Sequence, residues 1–313
     1  MGFAQGRLAM KAILVLLISL LTLVLPARLH AGDKTAKVDP ERISAASGAK
    51  ATIAPDGVVR LSWPRSDVDV RVDGLAFKPF AGLGSWAAFT SAKHGAMVMG
   101  DTVVFQDEVD AAIDAAFANG LEVTGLHNHF FFDEPRVFFM HIGGSGDAEK
   151  LAKGVKAVWD SIKEVRAKHP SPAKSFGIAP KTGKVTTAAI EKALGQKADS
   201  QAGMVKVTIG RAGMMHGVKV AGSMGLTTWA SFSGADDDAA VAGDFIMTAA
   251  EVQPGLRGLR KGGLHVVALH NHMIGEEPAF FFVHFWGRGP AEELARGLKH
   301  ALDEQAMVKK ADH

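Results

Sequence analysis

Three histidines and an acid share the stretch LHNHFFFDEPRVFFMH, Leu126 to His141, and the pattern returns as LHNHMIGEEPAFFFVH, Leu269 to His284. Imidazole nitrogens and a carboxylate oxygen are the ligands that divalent transition metals take. Side chains alternate along a strand, so His127 and His129 share one face about 6.6–7 Å apart. A turn at Asp133–Pro135 would bring His141 opposite His129, with facing Cβ atoms roughly 4.5–5.5 Å apart. Glu134 at the turn would fold back as the fourth ligand. The expected set is His127, His129, Glu134 and His141 in one stretch, and His270, His272, Glu277 and His284 in the other. Three nitrogens and one oxygen suit zinc, manganese, iron or nickel. Such a set could leave a coordination position for water on an ion that takes more than four ligands, which would permit catalysis. Asn128 and Asn271 face away from the pair, to fix the loop or to meet a substrate.

Two other readings compete. A hydrogen-bonded structural cluster must satisfy every ring nitrogen, since each buried polar group left alone costs about 1–3 kcal/mol. A metal-free ligand or catalytic site is the other. The letters HNH do not denote the nuclease motif of that name, whose residues are dispersed. The spacing His-x-His-x4-Glu occurs in cupins too, but a helical stripe precedes the strand here, so a double cupin is the lesser alternative.

The elements around these residues are written twice. At an offset of 143 residues, Gly82–Asp160 matches Gly225–Asp303 without a gap, including Trp86/Trp229, Gly100/Gly243, Asp101/Asp244, Glu108/Glu251 and Gly120/Gly263. Upstream, VVRLSWPR (Val58–Arg65) matches MVKVTIGR (Met204–Arg211) after a gap of about three residues. A period this long is a duplicated domain, not a solenoid. The repeats span 39–165 and 185–305, and the Pro-, Lys- and Gly-rich stretch 166–184 reads as a linker.

Within a repeat, Val68–Val72, Trp86–Phe89 and Val103–Phe105 read as strands. Glu108–Asn119 switches to helical period, with Val109, Ala112, Ile113, Ala116 and Phe117 on one stripe and Asn119-Gly120 as its stop. Leu121–Phe130 and Val137–Ile142 flank the turn as strands. A last helix starts near Asp147, and its counterpart has Gly289 as N-cap with Pro290 first in the helix. The expected fold class is α+β: a tandem duplication of a unit with an antiparallel sheet and helices packed on one face, in a pseudo-two-fold arrangement.

Residues 1–31 read as a signal peptide: Arg7 and Lys11, an apolar run from Ala12 to Leu25, and Leu29-His30-Ala31 as the cleavage triplet. Its removal takes Arg7, Lys11 and Arg28 from the 35 basic residues, leaving 32 against 33 acidic ones. A near-neutral chain lacks the basic field that nucleic acid requires. No later run is long enough to span a bilayer. The chain has no cysteine, which excludes disulfides and thiolate metal sites. Phosphate-loop, dinucleotide and nucleophile-elbow motifs are absent. His216 and the triplet Asp236–Asp238 occur only in the second copy, and the triplet reads as a solvated loop. Trp86 and Trp229 read as core.

The stretches GLTTWASFSG, GDFIMTAAEVQPGLRGLRKGGLHVVALHNHMIGEEPAFFFVHFWG and GPAEELARGLKHALD resemble the LppY/LpqO family of bacterial exported proteins, a domain of unknown function. LGSWAAF and LEVTGLHNHFFFDEPRVFFMH resemble its first half, and the resemblance runs from about Asp39 to Gln305. It implies export but no catalytic residues. Mycobacterial members are lipoproteins, whereas a chain without cysteine cannot be acylated at a lipobox, so a free periplasmic or secreted protein is expected. Its partner would be a small molecule or an envelope component. The contrasting expectation is a non-enzymatic binding module whose histidines are structural.

Overall fold

Alternation of buried and half-buried residues writes a strand over the run Ser85–Phe89. The computed structural model describes residues 37–175, 177 and 179–311; the expected signal peptide lies outside them. The first half runs α1 (Pro40–Ser47), β1 (Thr52–Ile53), β2 (Val59–Pro64), β3 (Val70–Val72), β4 (Leu75–Phe77), β5 (Gly84–Ala92), β6 (Gly95–Phe105), α2 (Val109–Ala118), β7 (Glu122–His127), β8 (Asp133–Glu134), β9 (Val137–Gly146) and α3 (Ala148–Lys168). The second repeats it as α4 (Thr187–Leu194), β10 (Ala198–Gln201), β11 (Met204–Gly210), β12 (Gly213–Met215), β13 (Val218–Val220), β14 (Thr227–Ala235), β15 (Asp238–Thr248), α5 (Ala249–Lys261), β16 (His265–His270), β17 (Glu276–Glu277), β18 (Phe280–Gly289) and α6 (Ala291–Ala311).

Twelve strands form one antiparallel sheet in the order β1-β2-β5-β6-β9-β7-β16-β18-β15-β14-β11-β10. The order is a palindrome of equivalent strands. Its centre is the pairing of Leu126 on β7 with Leu269 on β16, which are the same position in the two repeats. The duplicated units are therefore joined through the sheet itself.

Alternation divides the faces. On β9, Met140 and Ile142 pack into one apolar core with Ile113 of α2 and Val155, Val158 and Ile162 of α3. Val137 and Phe139, one residue out of phase, pack on the other face with Val70 of β3, Val103 and Leu83. That second face carries two small sheets, β4-β3-β8 and β13-β12-β17. The helices thus lie on one face, and the histidine stretches lie on the other. Among the described residues no helix is long and apolar enough to cross a membrane.

Three local expectations shift. β7 stops at His127, not Phe130, because the chain then leaves the sheet to build β8. α3 continues to Lys168, so the expected linker begins inside a helix. There Arg166 is buried, 2.6 Å from Glu108 and paired also with Asp107. The second-copy triplet ties this connection down, since Asp236 accepts from the N–H (2.7 Å) and hydroxyl (2.6 Å) of Thr186 and Asp238 accepts from the N–H of Lys181. His216 sits in the β12–β13 turn at φ 50°, the place Asp73 takes in the first copy at φ 49°.

Close helix packing in the second half depends on missing side chains. A Cβ on Gly297 of α6 would fall 2.3 Å from the carbonyl oxygen of Gly262. Gly297→Ala gains up to about 1 kcal/mol of helix propensity. The clash is with backbone, so a net loss of about 1–3 kcal/mol is expected, read as a lower urea midpoint.

Candidate metal centre

Neighbouring strands place the polar residues of each half on the face away from the helices. In the first half Asp101 on β6 stands directly opposite His141 on β9, and His141 stands opposite Gly125 on β7. Gly125 leaves room for that ring, since a Cβ there would lie 3.2 Å from its Cδ2. His127 is opposite Phe139, so His127 and His141 are diagonal neighbours, with Nε2 atoms 2.9 Å apart. His129 lies beyond the strand end, its ring flat on Phe139 at 3.4 Å between centroids. Asn128 donates to the carbonyl of Phe130 at 3.0 Å and Asn271 to that of Met273 at 2.7 Å, so both fix the loop.

The second half repeats this. Asp244 faces His284, and the ring of His272 lies on Phe282 at 3.5 Å. The rings of His272 and His284 lie 5.1 and 4.8 Å from that of His270. Asp244, His270, His272 and His284 each offer one ligand atom, and all four atoms fall within 4.8 Å of one another. Metal bonds of about 2.0–2.2 Å separate ligand atoms by roughly 3–4 Å, so small ring rotations would close this group on one ion. His272 Nε2 lies 3.4 Å from Asp244 Oδ2. Asp244 Oδ1 and His270 Nε2 are buried without a hydrogen-bond partner, as is Asp101 Oδ1 in the first half. A purely structural cluster would have satisfied them.

Two expectations about geometry are corrected. His129 does not face His141 across a hairpin, because residues 128–132 leave the sheet and the register pairs His141 with Gly125. The acid beside the imidazoles is Asp101 or Asp244, not Glu134 or Glu277. Those glutamates lie exposed on β8 and β17, in the small sheets. Strand alternation turns their inward neighbours, Asp133 and Glu276, to the backbone N–H groups of Val137 and Phe280 instead. The missed acids did leave a signal: Asp101/Asp244 is a repeated acidic pair inside apolar strands.

Burial pushes the carboxyls of Asp101 and Asp244 up, against the pull of three imidazoles in each half. His129 and His272 are held below the ordinary value of 6.5, chiefly by burial; the neighbouring imidazoles reinforce this and the acid opposes it. Each of these two rings binds fewer protons folded than unfolded just below 6.5, so its contribution to the stability of the metal-free protein falls as pH drops through that window. His272→Gln is accordingly expected to narrow the gap between urea midpoints at about pH 5 and about pH 7.

A family model, DUF1529, described as Domain of Unknown Function (DUF1259), matches residues 41–161 and 188–304. The chain belongs to this family. The two matched segments are the two repeats, so each copy of the family's domain carries one histidine stretch and one repeated aspartate. No curated protein matches this member of the family. Among solved structures it is similar to EtuB from Clostridium kluyveri, at 10% identity and a TM-score of 0.21, over 83% of this chain and 92% of that one. It is also similar to the trimeric bacterial microcompartment shell protein PduB, at 10% identity and a TM-score of 0.20, over 83% and 92%. A double-ringed trimeric shell protein of the RMM microcompartment matches at 14% identity and a TM-score of 0.20, over 82% and 96%. Likenesses this low carry no argument about function.

Proposed function

We propose that this member of the family binds a divalent metal ion in each repeat. Asp244, His270, His272 and His284 hold one ion, and Asp101, His127, His129 and His141 hold its counterpart. The observation that carries the reading is the convergence in the second half of four ligand atoms within 4.8 Å, two of them on groups with buried, unpartnered atoms; the first-half site rests on its equivalence to this one. The donor set of three imidazoles and one carboxylate favours zinc, manganese, iron or nickel. The phenylalanine under His129 or His272 fixes that ring, as neighbours of metal ligands do. Export to the periplasm or exterior belongs to the same proposal, resting on residues 1–31 and on the resemblance to the LppY/LpqO proteins. The lack of cysteine excludes acylation at a lipobox, and cleavage after residue 31 would release the protein.

Calorimetric titration of the untagged chain with each of the four ions is the test. Saturable binding is expected, weakened at least about tenfold by His270→Ala, as loss of a metal ligand requires, and unaffected by Glu277→Gln. Equal weakening by Glu277→Gln would return the acid's role to the turn glutamate. No binding of any of the four ions would favour the structural reading of the clusters.

A further inference from the structure

The sheet has two gaps beside its central pair, and among the described residues only one of them is filled. After His127, β7 leaves the sheet, which separates Phe138 of β9 from Val266 and Val267 of β16. After His270, β16 leaves in the same way, which separates β18 from Val123 of β7. In that second gap Gln253 of α5 reaches across. Its carbonyl oxygen accepts from the N–H of Val123 at 3.1 Å, and its NH2 donates to the C=O of Val123 at 2.8 Å. One primary amide thus stands in for the missing strand.

The equivalent of Gln253 is Asp110, and the equivalent of Val123 is Val266. Asp110 is one methylene shorter, and its oxygens are turned to Arg260 (2.8 Å) and His265. The gap beside Val266 is instead a cavity of about 340 Å3, walled by Val109, Phe138, Val267 and Trp286. The position equivalent to Trp286 in the filled gap is Gly143. A residue in an antiparallel ladder aims its N–H and C=O to the same side. Those of Val123 go to Gln253, and the pseudo-two-fold directs those of Val266 into the cavity.

We infer that this cavity binds a small planar molecule with a cis-amide edge, an N–H beside a C=O in one ring, as in lactams and pyrimidinediones. The ligand's carbonyl accepts from Val266 N–H, its ring N–H donates to Val266 C=O, and its faces lie against Trp286 and Phe138. The volume is at the lower end of small-molecule sites, which suits a single or fused ring. Nothing in this inference depends on a metal.

Saturation-transfer NMR with uracil, in the presence of a chelator, tests it on the full chain. Saturable uracil binding is expected, with 1,3-dimethyluracil, which lacks both N–H groups, binding at least tenfold more weakly. Asp110→Gln installs the plug of the other gap, and Val267→Phe fills the cavity without touching the ion pair; each should weaken uracil at least tenfold. If Asp110→Gln fails to fold, Val267→Phe decides alone. No saturable uracil binding, equal binding of the dimethyl compound, or unchanged binding in a folded plugged variant overturns the inference.

Discussion

Replacing Glu108 by alanine is expected to destabilise the protein by about 3–5 kcal/mol, the cost of removing the central acceptor from a buried ion-pair network. Arg65 is 2% exposed, and its guanidinium meets both oxygens of Glu108 at 2.9 Å. It also donates to the carbonyl of Val103 at 2.8 Å and lies 4.7 Å from the ring centre of Phe105. Glu108 in turn accepts from the N–H of Phe105 at 2.8 Å and has Arg166 Nε at 2.6 Å. Alanine removes the shared acceptor of two buried cations and one backbone N–H at the start of α2, leaving as anionic partners only the half-exposed Asp67 for Arg65, at 2.9 Å, and only Asp107 for Arg166. Against a usual total of about 5–15 kcal/mol, that is enough to leave part of the population unfolded at 37 °C. Urea unfolding measures it, and a loss below about 1 kcal/mol would contradict the account. The double change Arg65→Met with Glu108→Leu should recover part of the loss, because it removes the buried Arg65 charge together with its acceptor and leaves Arg166 still paired with Asp107. In the second half Arg211, with 16% of its side chain exposed, pairs with Glu251. Water reaches that cation, so Glu251→Ala should cost less.

The second large effect is metal-induced stabilisation. An ion present at a thousand times its dissociation constant adds about 4 kcal/mol per occupied site by mass action. Thermal unfolding should therefore rise by roughly 2–4 °C per kcal/mol on loading. Asp244→Asn separates this gain from the cost of building the site. Asp244 Oδ1 is buried and has no hydrogen-bond partner, so in the metal-free protein the desolvated carboxylate is only partly offset, by imidazoles such as that of His272 at 3.4 Å from Oδ2. The asparagine variant should be more stable than the parent without metal, by about 1–3 kcal/mol. It should lose the metal response of the second half. A variant less stable without metal and fully responsive with it would contradict both halves of the argument.

Much of the architecture was legible because it depends on local periods. The helical stripe of α2, the Asp147 start of α3 and the alternation around Trp86 are written in consecutive residues, and the duplication is written in the offset of 143. The histidine residues were legible too, since identical spacing survives in both copies. What was not legible depends on pairing between distant segments. Nothing local says that β6 lies beside β9, and without that adjacency Asp101 cannot be connected to His141. Nor does alternation show that residues 128–132 leave the sheet, a departure that moves His129 away from His141 and carries Glu134 into a small sheet. The joining of the halves through Leu126 and Leu269 is likewise a contact between equivalent residues, which a repeat pattern suggests as symmetry without fixing the surface used.

The most direct measurement is elemental analysis of the untagged chain after loading and desalting, for the parent and for Asp101→Asn, Asp244→Asn and Glu134→Gln/Glu277→Gln. The account predicts about two ions per chain, one lost with each aspartate and none with the glutamates. A metal-free parent, or full occupancy in both aspartate variants, would contradict it.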